Sequence, residues 1–131
     1  MNVLFLDDDP NRTKVFQSLV PSAKLTATAD ECIKALADAT EPWLCVFLDH
    51  DLGECGQTTG MKVVEWIEKN RPHVECFVSH SLNPHGRLAM SERLMRAGYI
   101  SLPRAFGWKI ADMLVEQVAR MVERDKSEAK R

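Results

Sequence analysis

Three short polar clusters hold most of the residue types that do chemistry in this 131-residue chain. Asp7-Asp8-Asp9 closes the apolar run Val3-Leu4-Phe5-Leu6, and Asp49-His50-Asp51 closes Trp43–Leu48. Ser79-His80-Ser81 closes a third run, with Asn83 just beyond. Consecutive aspartates repel unless a cation or basic group offsets them. Asp9 precedes Pro10 and reads as a helix cap, which leaves Asp7 and Asp8 to be explained. Hard carboxylate oxygens beside a second aspartate cluster suit Mg2+ or Mn2+, ions that keep waters a phosphate can replace. His50 and His80 follow two of the runs, and imidazole serves as acid or base near neutral pH. Arg87, near a helix start, can fork onto an anion that the helix amino end also favours.

Plainer readings stand beside these. Asp7–Asp9 could be a solvated acidic turn, and His50 could cap the loop it begins. Ser79 and Ser81 could be turn hydrogen-bonders, and Asn83-Pro84 is a turn signal. His73 and His85 fall in polar loops. His50, His80, His85 and Cys55 match no standard zinc spacing. The bases Arg87, Arg93 and Arg96 lack the interleaved aromatics of a nucleic-acid surface, which argues against nucleic acid as a partner.

Alternating elements must position these groups. Strands are expected at Val3–Leu6, Lys24–Thr28, Trp43–Leu48, Glu75–Ser79 and Tyr99–Leu102. Helices are expected from Pro10 with Val15, Phe16, Leu19 and Val20 inward, and over Ala29–Ala39 with Cys32, Ile33, Leu36 and Ala37 inward. A third spans Met61–Asn70, broken by Pro72. A fourth starts at Asn83-Pro84 with Leu88, Leu94 and Met95 inward and stops at Gly98. The last runs from Phe106 to about Arg124. Asp49 to Gly60 reads as a loop. Continuously apolar strands separated by helices imply a parallel sheet covered on both faces. Right-handed crossovers then favour an α/β flavodoxin-like (CheY-like) three-layer α/β/α sandwich, with five parallel strands in the order 2-1-3-4-5. Such sheets bind ligands at the carboxyl ends of their strands, where all three clusters and Arg104 fall.

Composition sets the outer limits. At 45% hydrophobic and 27% charged, the chain has enough apolar material for a core, so disorder throughout is excluded. One domain is expected over residues 1–124, with a charged tail at 125–131. No apolar run nears the ~18 residues of a membrane span. The start turns acidic after six residues, unlike a signal peptide, so a cytoplasmic protein is expected. Cys32, Cys45 and Cys76 lie in apolar stretches and read as buried small hydrophobes. The net charge of −2 hides an acidic half (ten acids, four bases in residues 1–60) and a basic half (nine acids, thirteen bases). That split suits acids that hold a metal facing bases, such as Arg87 and Arg104, that hold an anion.

LFLDDDPNR followed by VFLD resembles the receiver domain of response regulators over nearly the whole chain. The resemblance implies Mg2+ binding by Asp7 and Asp8, a phosphoryl acceptor at Asp49, the receiver Thr/Ser at Ser79, and a backbone carbonyl for the metal at Asp51. Receivers carry a Lys before a Pro at the end of the fifth strand, where this chain has Leu102-Pro103. Arg104 lies two residues on, in a position that is not equivalent geometrically. Further features, DHDLG at Asp49–Gly53, Thr59-Gly60 and HSLNPHGR at His80–Arg87, resemble a receiver-like family that processes cyclic phosphates. That resemblance implies a metal-assisted phosphoesterase taking a small phosphorylated or cyclic nucleotide. Asp7, Asp8, and Asp49 or Asp51 would hold the metal, and His50, His80 and Asp49 would carry the chemistry. Ser79, Ser81, Asn83, Arg87 and Arg104 would contact substrate. Alternatives are a stand-alone receiver phosphorylated at Asp49 and a non-catalytic pseudo-receiver that binds a partner. A homodimer through the fourth helix, fifth strand and fifth helix, as receivers often form, is a further expectation.

Overall fold

The computed structural model describes residues 2–52, 58–104, 120 and 123. In chain order the elements are β1 (Val3–Leu6), α1 (Pro10–Leu19), β2 (Lys24–Thr26), α2 (Ala29–Asp38) and β3 (Trp43–Leu48). Then come β4 (Asp51–Leu52), β5 (Thr58–Thr59), α3 (Met61–Asn70), β6 (Val74–Ser79), α4 (Pro84–Arg96) and β7 (Ser101–Pro103). Five strands form one sheet in the order β2-β1-β3-β6-β7, every pairing parallel. The expected sheet order is therefore the observed one.

Strand residues alternate between two cores, as the two-residue side-chain period requires. Leu4, Leu6, Val46, Leu48 and Phe77 pack with Cys32 and Leu36 of α2, Val63, Val64 and Ile67 of α3, and Met90 and Leu94 of α4. Val3, Phe5, Cys45, Phe47, Cys76 and Val78 pack on the other face with Phe16 and Val20. Phe5 stacks on Phe16 with ring centres 4.1 Å apart. Both faces are covered, so the central strands are apolar throughout.

Several expectations shift. Val15, Leu88 and Met95 are exposed rather than inward, while Met90 and Ser91 of α4 are buried. Ser91 is accommodated because its Oγ lies 2.9 Å from that of Ser101 on β7, so the two hydroxyls satisfy each other. Ala37 of α2 is also exposed. The stretch read as a loop after β3 contains an antiparallel pair, Asp51 opposite Thr59 and Leu52 opposite Thr58. Helix α3 ends on Arg71 in the left-handed conformation (φ 52°), one residue before Pro72. Gly98, at φ 97°, does stop the turn after α4. Cys32, Cys45 and Cys76 are buried as thiols, as expected of small hydrophobes. Cys55, the expected last helix apart from residues 120 and 123, and the tail lie outside the described residues. Among the described residues, no helix is long and apolar enough to cross a membrane.

Candidate functional site

The sheet ladder continues one residue beyond the strands and fixes the polar groups there. Asp7 N–H donates to the Thr26 carbonyl, Asp49 N–H to Leu6, His80 N–H to Leu48, and Arg104 N–H to Ser79, at 2.9–3.2 Å. Asp7, Asp49 and His80 therefore sit side by side at the carboxyl edge, on backbone as rigid as the strands. Asp9 caps α1 by accepting from the N–H groups of Asn11 and Arg12, which folds the first turn back over Asp7.

Asp7 is the centre of the cluster and almost wholly buried. Its Oδ1 accepts from the Asp9 N–H (2.8 Å) and Arg12 Nη2 (2.9 Å). Its Oδ2 accepts from Arg12 Nε (2.7 Å) and lies 3.1 Å from His80 Nε2. Burial raises the Asp7 pKa, but hydrogen bonds from His80, Arg12 and Asp9 outweigh it and bring it down to about 2. Asp49 behaves oppositely. Burial and the charge of Asp7 push it up to about 7, against the pull of Arg12. Asp7, Asp8 and Asp49 each offer an oxygen within 4.8 Å of the others. Asp49 Oδ2 and Ser79 Oγ are buried and make no hydrogen bond among the described residues. A close set of carboxylate oxygens with an unsatisfied buried acceptor is a donor set that fits Mg2+ or Mn2+.

The two histidines occupy different layers. His80 is 1% exposed and stacks on Phe5 with ring centres 4.9 Å apart. Burial lowers its pKa, opposed by Asp7, so a neutral imidazole donates from Nε2 to that carboxylate. His80 thus lies buried between Phe5 and the Asp7 carboxylate. His50 is half-buried, with Nδ1 2.7 Å from Asp51 Oδ1. The bond from His50 holds the Asp51 pKa below its ordinary value. The exposed Asp51 carboxylate also accepts from Asn83 Nδ2 at 3.4 Å, so it faces His50 and α4 rather than joining the three clustered acids.

Two glycines hold this arrangement. A Cβ on Gly86 would lie 2.6 Å from His50 Nδ1 and 2.7 Å from its Cδ2, so the imidazole rests directly on the first turn of α4. A Cβ on Gly60 would strike the Asp49 carbonyl, and Gly60 N–H donates to the His50 carbonyl at 2.7 Å. The Thr-Gly and NPHG features thereby acquire a physical reason: each lets one segment approach the strand that bears Asp49 and His50.

The expected anion-binding groups bond the backbone or one another here. Arg87 Nη1 donates to the Ser81 carbonyl (2.8 Å), and exposed Arg104 donates to the adjacent Pro103 carbonyl (2.9 Å). Asn83 caps α4, accepting from the N–H groups of His85 and Gly86, while Ser81 Oγ accepts from Asn83 N–H. Among the described residues, the base that faces the acids is Arg12, a residue without an assigned role in the sequence. It is 3.2 Å from Asp9 and 3.8 Å from Asp49 as well as clamping Asp7. The signal was present: a basic residue in a helix's first turn opposes the dipole and needs a nearby carboxylate to justify it.

This parallel five-stranded sheet with acids at its carboxyl edge has the fold of response-regulator receiver domains. The chain belongs to the cyclic-phosphate processing receiver domain family, whose profile matches residues 2–96. Among solved structures, a response regulator receiver domain protein from Clostridium thermocellum has a TM-score of 0.67 at 17% identity, covering 95% of this chain and 96% of that one. A CheY-like receiver from Methanospirillum hungatei JF-1 gives 0.61 at 19%, covering 94% and 97%. The response regulator TrrA from Thermotoga maritima, in complex with Mg2+ and BeF, gives 0.64 at 16%, covering 89% and 97%. No curated protein matches the chain.

Proposed function

We propose that the protein is a metal-assisted phosphoesterase that opens the cyclic phosphate of a small nucleotide-like ligand. The observation that carries this reading is the meeting of Asp7, Asp8 and Asp49, with one buried acceptor left without a hydrogen bond among the described residues. The family's description supports the choice of a cyclic phosphate as substrate.

Asp7, Asp8 and Asp49 would hold Mg2+ or Mn2+, which when bound offsets phosphate charge and makes a coordinated water more acidic. The remaining work falls to the chain. Water adds to phosphorus, a ring P–O bond breaks, and the leaving alkoxide takes a proton. His50 is the half-buried imidazole suited to move that proton, with Asp51 fixing its Nδ1. His80 is a positioning residue: it holds Asp7 and keeps one side of the acid pocket dry. Ser79 Oγ, buried and without a hydrogen bond among the described residues, is a polar group available at the same strand ends. Asn83, Arg87 and Ser81 shape the α4 entrance through their mutual bonds, and Arg104 is the exposed cation at the same edge. A cytoplasmic setting goes with a nucleotide-like ligand. Exposed Leu88, Met95 and Ile100 support self-association through the fourth helix and the last strand of the sheet.

The test is turnover of 2′,3′- and 3′,5′-cyclic nucleotides with Mg2+ or Mn2+. His50→Ala is expected to abolish it at unchanged metal affinity, and His80→Ala to lower it by loosening the Asp7 carboxylate. No turnover across the panel would overturn the reading. One second reading has an observation in its favour: among the described residues Asp49 Oδ2 makes no hydrogen bond, which leaves it a lone pair to accept a phosphoryl group. Labelling by acetyl phosphate that Asp49→Asn abolishes would support it, although Leu102 stands where receivers carry Lys.

A further inference from the structure

Asp7 has no vacancy. An ionised carboxylate offers about four lone-pair sites. Here Asp9 N–H and Arg12 Nη2 occupy Oδ1, while Arg12 Nε and His80 Nε2 occupy Oδ2. A divalent cation cannot reach Asp7 until one donor leaves. The Asp9 N–H is fixed by the helix cap, and the His80 side chain is wholly inaccessible. The Arg12 side chain is 23% exposed and has a path to solvent. It also supplies positive charge to Asp9 and Asp49, so one guanidinium does for three acids what a metal would do.

We propose that Arg12 is the resident counter-cation of the acid pocket and that divalent metal binds only by displacing it, so that Arg12 sets the metal affinity. This rests on the reading of Asp7, Asp8 and Asp49 as the metal site. The guanidinium gives the metal-free pocket a charge-compensated state. It also provides a threshold: a weakly binding cation does not dislodge a two-pronged ion pair. Once swung away, Arg12 remains tethered to the first turn of α1, within reach of an anion at the same edge.

The experiment is Mn2+ binding followed by electron paramagnetic resonance, with the metal alone as probe, on the wild type and Arg12→Met. A charge-assisted hydrogen bond contributes ~1.5–3 kcal/mol, so removing its donor is expected to tighten Mn2+ binding by about tenfold or more. Should Arg12→Met fail to fold, Arg12→Lys keeps the charge, loses the fork, and is expected to tighten binding by a smaller factor. In the wild type, the Arg12 Nε–H resonance is expected to lose its bonded position in step with Mg2+ saturation. Unchanged or weaker affinity in the variants, or an Nε–H resonance that persists at saturating Mg2+, overturns the proposal while leaving the metal site standing. Absence of binding in the wild type and the variants alike overturns both.

Discussion

The contact between His50 and Gly86 makes a sign-changing prediction. An alanine at position 86 would put a methyl carbon 2.6–2.7 Å from atoms of the imidazole, about 1 Å inside ordinary contact. Forcing a group into such a site costs about 1–3 kcal/mol. Gly→Ala within a helix is otherwise worth about 1 kcal/mol in the folded state's favour. The net effect of Gly86→Ala is therefore a destabilisation of up to ~2 kcal/mol. Repeated in a His50→Ala background, the clash is gone and only the helix term remains. The same substitution should then stabilise by up to ~1 kcal/mol. Urea denaturation of the four proteins measures the coupling, expected at about 1–3 kcal/mol. Equal effects in the two backgrounds, within ~0.5 kcal/mol, would refute the packing argument. If His50 moves the proton, Gly86→Ala also lowers turnover, because the ring is pushed from its bond with Asp51.

Metal-free stability should follow the two central acids in opposite directions. Asp49, raised from 3.8 to about 7 when folded, favours the folded state below pH ~4 and loses that contribution as pH rises toward 7. Asp7, lowered to about 2, contributes above pH ~4 and is lost as pH falls toward 2. Asp49→Asn should therefore be more stable than the wild type at pH 8, the gap closing near pH 4; a pH-independent gap in urea midpoints would contradict this. Asn83→Ala removes the α4 cap and should cost ~1 kcal/mol in thermal melts, with Asn83→Asp retaining most of it; equal losses would deny the cap. Gly60→Ala meets the Asp49 backbone and the Met90 sulfur (2.9 Å), so a loss of about 3 kcal/mol or more is expected, and a neutral result would show that the hairpin can yield.

The sheet was legible because its strands are uninterrupted apolar runs: β1, β3 and α3 begin and end where the residues suggest. The carboxyl edge was legible too, since Asp7, Asp49 and Ser79 each close such a run. The rest depends on contacts between distant elements. The two-residue strands β4 and β5 carry no periodicity, so nothing local distinguishes them from loop. The inward face of α4 is set by where it crosses β7, which buries Ser91 against Ser101 and leaves Leu88 outside. His80 carries no mark of burial in sequence; its place follows from stacking on Phe5 and bonding Asp7, residues some seventy positions earlier. The charge split pointed to Arg87 and Arg104 as the bases opposite the acids. Both bond backbone carbonyls, and the compensating cation is Arg12, within the acidic half itself.

The most direct measurement is a crystal structure with Mn2+ and phosphate, read from the anomalous signal of the metal. One Mn2+ is expected, bounded by Asp7, Asp8 and Asp49, with a phosphate oxygen among its ligands and Arg12 withdrawn from Asp7. A Mn2+ peak elsewhere, or an acid cluster still closed by Arg12 at saturating metal, would contradict it.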